Sequence, residues 1–460
     1  MGRRGIGRMT QTVQAQLQNS IGLPFQDFFT EERIGELLEE LGISFRNRVF
    51  NPVVTLLTFI SQVLVDGCCR SAVSRVAVSI ASTGKDAPST ATGGYCQART
   101  RLPERFFERT LEETAGTLDK DLPAESLWLG RHRVFGTDGS SAQTPDTPAN
   151  RKAWGLPPNV KPGCGFPVVP FVGFFSLLTG ALVRLVIGKE GTHERRMFRA
   201  GSDILQPGDV AVGDRGFCSY ADIAQQLRRG VHTLYRIFNR ETDFRIGRKL
   251  GPDDHVVTWL KPKACPRGMT QREFRRLPED IEVREIRIRV DIKGFRSQEV
   301  LVVTTLLDPE LYPKDEIAAL YLRRWEVELD FRHIKTTLGM EMLSTETPAM
   351  IRKEIMTYMI AYNMIRVLMW NAAKAAGDDP LRLSFKGTLQ HLEHMSPHLG
   401  RAPTPQEHER LVGVLYQFIA STRLPDRPGR VEPRVRKRRP KNYPLMTHPR
   451  RELKRELVQG

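Results

Sequence analysis

Apolar positions recur with two different periods along the chain. Up to about residue 125 the spacing is helical: "EERIGELLEELG" and "PVVTLLTFISQVLVDG" each carry an apolar face, and they end at Gly42 and Gly67. "SAVSRVAVSIASTGKDAPSTATGGYCQARTRL" then predicts two short helices around a Gly/Pro/Ser/Thr turn. From Arg131 the runs shorten to strands. "RVFGTDGS" ends in Asp138, and "GDVAVGDRGF" ends in Asp214. Between them, "FPVVPFVGFFSLLTGALVRLVIG" approaches the length of a membrane span. Its Pro167, Pro170, Thr179-Gly180 pair and Arg184 instead predict two buried strands joined at Thr179-Gly180.

"THERRMFRAGSDIL" and "YADIAQQLRRG" read as helices and "HTLYRIFNR" as a strand. Three strands in antiparallel order, followed by helix, strand, helix and strand, form the order of an RNase H-like α/β domain. Residues 239–297 interrupt it with a β-rich segment that contains Trp259 and the alternating "DIEVREIRIRV"; fifteen basic against ten acidic residues make this insert basic. After it come the buried strand "EVLVVTTLLD", one long helix from near Pro313 to near Gly339, a Met/Ile-rich helix over 348–376 and the helix "PQEHERLVGVLYQFIAST". The expected organisation is a helical N-terminal domain over 1–125, the first part of the core over 126–238, the insertion over 239–297, the second part of the core over 298–376, and a helical segment with a basic arm over 377–460.

Charge changes the picture. Sixty-nine basic against fifty-three acidic residues leave +16, with a pI near 9.8, which favours a polyanionic partner. Residues 421–460 hold thirteen Lys or Arg and four Asp or Glu, more than half of the net charge. Prolines in "EPRVRKRRPKNYPLMTHPR" forbid a regular helix there, so Arg436, Lys437, Arg438 and Arg439 are expected to track phosphates on an extended arm. Gln97, Arg99 and Arg101 suit a helix-turn-helix reader of DNA, although a plain helical hairpin accounts for the same pattern. Six scattered cysteines without a zinc spacing and an N-terminus without an apolar core point to a cytoplasmic protein with reduced thiols and no membrane partner.

The candidate chemistry lies in acids. Asp138 and Asp214 each close a buried-type strand and precede or approach a glycine, in "TDGS" and "GDRGF". The third acid is in "YLRRWEVELDFRHIK", from Tyr321 to Lys335. At roughly 100° per residue with Tyr321 at zero, Arg324 falls at about −60°, Glu328 at about −20° and Lys335 at about −40°, while Glu326 and Asp330 fall at about 140° and about 180°. One stripe therefore holds Tyr321, Arg324, Glu328 and Lys335. Two Asp from neighbouring strands and one Glu from a helix can hold two Mg²⁺ ions, which want carboxylate oxygens.

The spacing Tyr321-x2-Arg324-x3-Glu328-x6-Lys335 matches the Tyr-Arg-Glu-Lys signature of the bacterial insertion-sequence transposases of family four, a class of DDE transposase. "TDGS", "GDRGF", "PDTPANRKAWGLPPNVKPGCGFP" and "RKRRPKNYP" also resemble that family's sequences, over nearly the whole chain. The resemblance implies a catalytic, metal-binding triad of Asp138, Asp214 and Glu328, two Mg²⁺ ions per site with Mn²⁺ as a substitute, and Tyr321, Arg324 and Lys335 on DNA beside the metals. It implies cleavage at transposon ends and joining into target DNA, by cut-and-paste through a hairpin, in a synaptic homodimer in the cytoplasm at the nucleoid. Trp259 is then a candidate platform for a base leaving the stack, and Arg215 and Arg332 are candidates for phosphate contact. Two rivals remain: a metal-dependent nuclease or recombinase on the same fold, and a DNA-binding regulator without catalysis, which a substituted triad would favour.

Overall fold

The computed structural model describes residues 31–425 and 445–459, apart from 46–47, 66, 83, 85, 121, 159, 190, 238–241 and 290–298. The chain divides into two compact units, one of Met1–Asp121, Ala181–Val183 and Phe331–Leu424, the other of Leu122–Gly180, Arg184–Asp330 and Pro425–Gly460.

The first unit is helical. Its N-terminal part holds the helices Glu31–Glu40, Pro52–Val65, Cys69–Ala81, Gly93–Arg101 and Glu104–Lys120. Gly42 and Gly67 take left-handed backbone, at φ 63° and 66°, where the apolar periodicity places the helix ends. Pro348–Ala376 is buried along most of its length, starts with Pro at the first turn and stops at Gly377 in the left-handed region. It packs against Pro52–Val65, Glu104–Lys120, Phe385–Leu399 and Pro405–Ser421. A helix apolar on nearly every side needs such a surround. Phe385–Leu399 was not foreseen, and Pro397 in its last turn is why its sequence reads as a break.

The helix-turn-helix reading meets a correction here. Arg99 is only 4% exposed; its guanidinium lies over the Phe59 and Tyr95 rings and donates to Cys69 Sγ at 3.1 Å and to Gln62 Oε1 at 3.5 Å. Arg99 ties Gly93–Arg101 to its neighbouring helices and does not reach outward.

The second unit is mixed α/β and built on one nine-stranded sheet. Its strands are β1 (Val134–Gln143), β2 (Val168–Ser176), β3 (Leu182–Ile187), β4 (Val210–Gly213), β5 (His232–Arg236), β6 (Arg248–Gly251), β7 (Asp254–Leu260), β8 (Asp280–Arg289) and β9 (Glu299–Thr304), in the order β3-β2-β1-β4-β5-β9-β8-β7-β6. β1 pairs antiparallel with β2 and parallel with β4, and β4 is parallel to β5. The Phe166 stretch forms β2 and β3 with Gly180 at φ 73° in the turn, and no helix among the described residues is long and apolar enough to cross a membrane. The insert does not form a sheet of its own. Its strands extend the same sheet through β9, which pairs antiparallel with both β5 and β8. A bidentate Arg284–Asp254 pair, buried at both ends and joined to the Tyr312 carbonyl by a third Arg284 N–H, holds this outer part.

The single helix expected from Pro313 to Gly339 is three segments: Lys314–Leu322, Arg324–Arg332 and a π-helical turn His333–Thr337, closed by Gly339 at φ 84°. The π turn adds residues per turn and departs from the uniform 100° step. Arg324–Arg332 lies close on β1 because β1 carries Gly136. A Cβ there would stand 2.4 Å from Val327 Cγ2 and 2.8 Å from Leu177 Cδ2. Arg323 fastens the same helix by donating to the Leu177 carbonyl and to Glu326 at 3.0 Å.

Gly136→Ala is expected to destabilise the protein by about 1–3 kcal/mol through overpacking against a stiff Val and a Leu, read as a lower urea midpoint; an unchanged midpoint would show that the helix does not depend on that bare backbone.

Candidate active site

The parallel pairing of β1 with β4 ends at Thr137 opposite Gly213. The next residue on each strand is an acid, so Asp138 and Asp214 leave the ladder side by side. β1 does not stop there, as the sequence suggested, but continues to Gln143 against β2 alone. Asp138 therefore lies inside a strand whose partner on one side has turned away. Each acid is oriented by its own loop: Gly139 N–H donates to Asp138 Oδ1 at 2.8 Å, and Gly216 N–H to Asp214 Oδ1 at 2.7 Å.

Burial first, then the charges of Asp214 and Glu328, push the Asp138 carboxyl up to about 7 against the opposing Gly139 N–H and Arg324. Asp214 and Glu328 thus both act electrostatically on Asp138. Glu328, one residue after the Val327 that packs on Gly136, remains 39% exposed at its side chain and accepts from Arg324 Nη1 at 2.9 Å. Arg324 is itself buried. Burial alone would lower its pKa, but Tyr321, Glu328 and Asp138 raise it, so it stays a cation among acids. Tyr321 is buried as well, its hydroxyl pKa raised by burial against the pull of Arg324, to which it is hydrogen-bonded. Glu326 is turned to Arg323, away from this group.

The structure thus brings Asp138, Asp214, Glu328, Tyr321 and Arg324 into one neighbourhood. Lys335 is half-buried in the π turn, and Arg215 and Arg332 are exposed. His333, beside Arg332, stacks on Phe385 at 4.7 Å, and burial with the Arg366 and Arg332 charges pushes its pKa down to about 3, so it is a neutral ring. Trp259 does not have the setting of a stacking platform. It is 7% exposed, and its indole N–H donates to Glu285 Oε1 at 2.7 Å inside the insert, where His255 also meets Glu285. Arg436, Lys437, Arg438 and Arg439 lie outside the described residues.

Among the described residues no three Asp, Glu, His or Cys side chains already close on a space for a metal ion. The donor set nevertheless fits a hard cation: carboxylate oxygens from two neighbouring strands and a helix, with the charges of Asp214 and Glu328 both acting on Asp138. Sequence reasoning passed over Glu194. It begins the helix Glu194–Gly201 after β3, and its carboxyl pKa is raised by burial and then by Asp214, with His193 opposing. Only its place, the first helical position after the third strand of the sheet, marks it in the sequence.

A family model described as a transposase DDE domain matches residues 130–364, from just before β1 into the helix Pro348–Ala376, and the chain belongs to the DDE transposase family. It is similar to the transposase InsG for insertion sequence element IS4 of Escherichia coli K12, with 28% identity over 363 residues that cover 78% of this chain and 79% of that one. A putative transposase for insertion sequence element IS4SA of Synechocystis is 24% identical over 205 residues, covering 45% of this chain and 54% of that one. Among solved structures, the piggyBac transposase synaptic complex with hairpin DNA overlaps with a TM-score of 0.41 and 10% identity, over 86% of this chain and 84% of that one.

The Asp138 environment has a measurable cost. Its carboxyl holds a proton in the folded chain up to about pH 7, whereas in the unfolded chain it releases it near about 3.9. The stability this proton linkage contributes is present below about pH 4 and lost as pH rises through about 7. Asp138→Asn is expected to remove that loss and stabilise the metal-free protein at about pH 8 by up to about 4 kcal/mol, with the two proteins converging towards about pH 4. Urea unfolding across that range checks it, and parallel curves would refute the uncompensated acid.

Proposed function

We propose that the chain is a catalytically active DNA transposase that cuts the ends of its transposon and joins the released 3′-hydroxyl to target DNA. The observation that carries this reading is the ladder end at Thr137 and Gly213, which sets Asp138 beside Asp214, with the Glu328 helix seated on Gly136 two residues before Asp138. The core is read as RNase H-like: β1 antiparallel to β2 and parallel to β4, β4 parallel to β5, and the third acid on a later helix. Asp138, Asp214 and Glu328 would hold a pair of Mg²⁺ ions, with Mn²⁺ able to replace them. When bound, that pair activates the attacking oxygen and stabilises the leaving one in an in-line phosphodiester displacement.

The chain's own residues do the rest. Arg324 holds Glu328 before DNA arrives; with Tyr321 and Lys335 it then contacts the DNA next to the scissile bond, the cation offsetting charge on the phosphate. Arg215, Arg332 and the basic arm with Arg436, Lys437, Arg438 and Arg439 add phosphate contacts. The N-terminal helices over 1–125 bind the transposon end. Excision is cut-and-paste with a hairpin intermediate, in a homodimer that synapses two ends, in the bacterial cytoplasm at the nucleoid.

Glu328→Gln keeps the shape and removes the charge. It is expected to lower Mg²⁺-dependent end cleavage by at least about 10³-fold, the scale at which losing a transition-state charge group acts, with end binding in EDTA retained. Cleavage at the unsubstituted rate would refute the triad. Deleting residues 430–460 is expected to flatten the slope of log affinity against log salt, because fewer counterions are released; an identical slope would remove the arm from the interface.

A further inference from the structure

Between the start of the helix Pro52–Val65, with Phe45, Arg48 and Phe50 ahead of it, and the end of the helix Gly93–Arg101 lies a cleft of about 530 Å³. That volume is within the range of small-ligand sites. Pro52, Thr55 and Leu102 are buried and form its floor, while Phe45, Arg48 and Arg101 are exposed and form its mouth. Phe50 makes one wall, and its ring is set against that of Tyr95 at 5.3 Å.

The polar group at the floor has no use within the fold. Thr55 is 1% exposed, yet its hydroxyl has no hydrogen-bond partner among the described residues. A helical threonine can turn its hydroxyl to the carbonyl four residues back, as Thr58 does to Val54 at 2.6 Å. The Asn51 carbonyl stands in the equivalent place for Thr55 and takes only its backbone N–H, at 2.8 Å. A buried hydroxyl left unpaired costs stability, and a ligand in the cleft would remove that cost. The mouth adds charge of one sign. No carboxylate lines the cleft among the described residues, and Arg101 donates to a neutral acceptor, Gln97 Oε1, at 3.3 Å.

These features select an occupant. Cations without a carboxylate suit an anion, two phenylalanine rings suit a flat partner, and a buried hydroxyl suits an edge that can hydrogen-bond. A nucleotide combines the three, and for a DDE transposase with a net charge of +16 the polyanion at hand is DNA. We propose that this cleft takes one nucleotide of the bound transposon end, with its base out of the stack against Phe45 and Phe50, the base edge on the Thr55 hydroxyl and its phosphate on Arg48 and Arg101. This rests on the reading of the helices over 1–125 as the end-binding region. Arg99, turned inward, holds the helix that carries Arg101 to the mouth.

The test uses the full-length protein and a duplex of its transposon end in EDTA, with affinity measured by fluorescence anisotropy across a salt series and the thermal midpoint of each variant measured without DNA. Phe45→Ala is expected to lower end affinity by at least about fivefold, the lower bound for losing a base stack on an aromatic ring, at an unchanged salt slope. Arg48→Ala with Arg101→Ala is expected to flatten the slope of log affinity against log salt by about 1 or more. Thr55→Val keeps the shape and removes the unpaired hydroxyl; it is expected to lower affinity at least about twofold while the thermal midpoint holds or rises. Duplexes that lack one base at a time then locate the nucleotide: at one position the base-less duplex binds the wild type and Phe45→Ala equally. A Phe45→Ala penalty that survives at every position would overturn the proposal. So would wild-type affinity in Phe45→Ala and Thr55→Val with only the arginine pair affected, the mark of plain surface charge, or wild-type DNA binding by all the variants, as a cleft for an acidic protein segment would give. If the wild type prefers its end duplex to an unrelated one, such results remove this proposal alone; if it shows no preference, the end-binding reading falls with it.

Discussion

Two parallel strands whose mutual pairing ends at one rung, each carrying an aspartate at the next position, are the constraint around which the sheet unit is arranged. The pairing Thr137 to Gly213 is the last rung of the β1–β4 ladder. Backbone hydrogen bonding therefore fixes the separation of two like charges that would otherwise spread apart. Burial is the main reason the Asp138 carboxyl is pushed up, and the Asp214 charge adds to it, since in a partly desolvated setting repulsion is not screened as it is on a surface. The neighbouring features answer the same problem. Gly139 and Gly216 supply backbone N–H donors to the acids, Gly136 admits the helix that brings Glu328, and Arg324 sets a cation beside the group. Sites of this kind trade stability for function.

Arg324 has two roles that bear on each other. As the partner of Glu328 and the neighbour of Tyr321, it gives the buried tyrosine hydroxyl a hydrogen-bonding partner and sets Nη1 on a carboxylate, while its own buried Nε is left without a hydrogen bond among the described residues. As a cation near Asp138 it occupies electrostatic ground that a divalent ion would take. Arg323, one position earlier, has no such duality. It spends its donors on Glu326 and on the Leu177 carbonyl and serves as an anchor. Adjacent arginines in one short run thus separate into one that anchors the helix and one set among the acids.

Much of this was legible in the sequence, because spacing is a physical signal. Gly42 and Gly67 end helices where the apolar period ends, the Pro and Gly of the Phe166 stretch divide it into strands, and both Asp residues follow the last rung of the β1–β4 ladder, although β1 itself runs on past Asp138. The separation of Glu328 from Glu326 follows from helical phase alone. What the sequence hid depends on tertiary contact. Arg99 looks like a DNA reader until Phe59 and Tyr95 are seen to sandwich it, and Trp259 looks like a platform until Glu285 is seen to satisfy its indole. The breaks near Arg323 and His333 carry no Gly or Pro to announce them. Glu194 was invisible for the opposite reason: an acid at a helix N-terminus is so common that only its close approach to Gly139 sets it apart.

The join between the insert and the sheet concerns modularity. Ile237 N–H donates to the Leu301 carbonyl at 2.9 Å, directly where β5 meets β9. The chain thus leaves the core and returns to it at neighbouring points on two paired strands. Strands β6, β7 and β8 lie outboard of that seam. The outboard part nevertheless reaches back across it: Arg284 of β8 donates to the Tyr312 carbonyl, and Lys314 Nζ to the Pro252 carbonyl, so it also holds the start of the Lys314–Leu322 helix. The insert is thus a brace on that helix as well as an extension of the sheet.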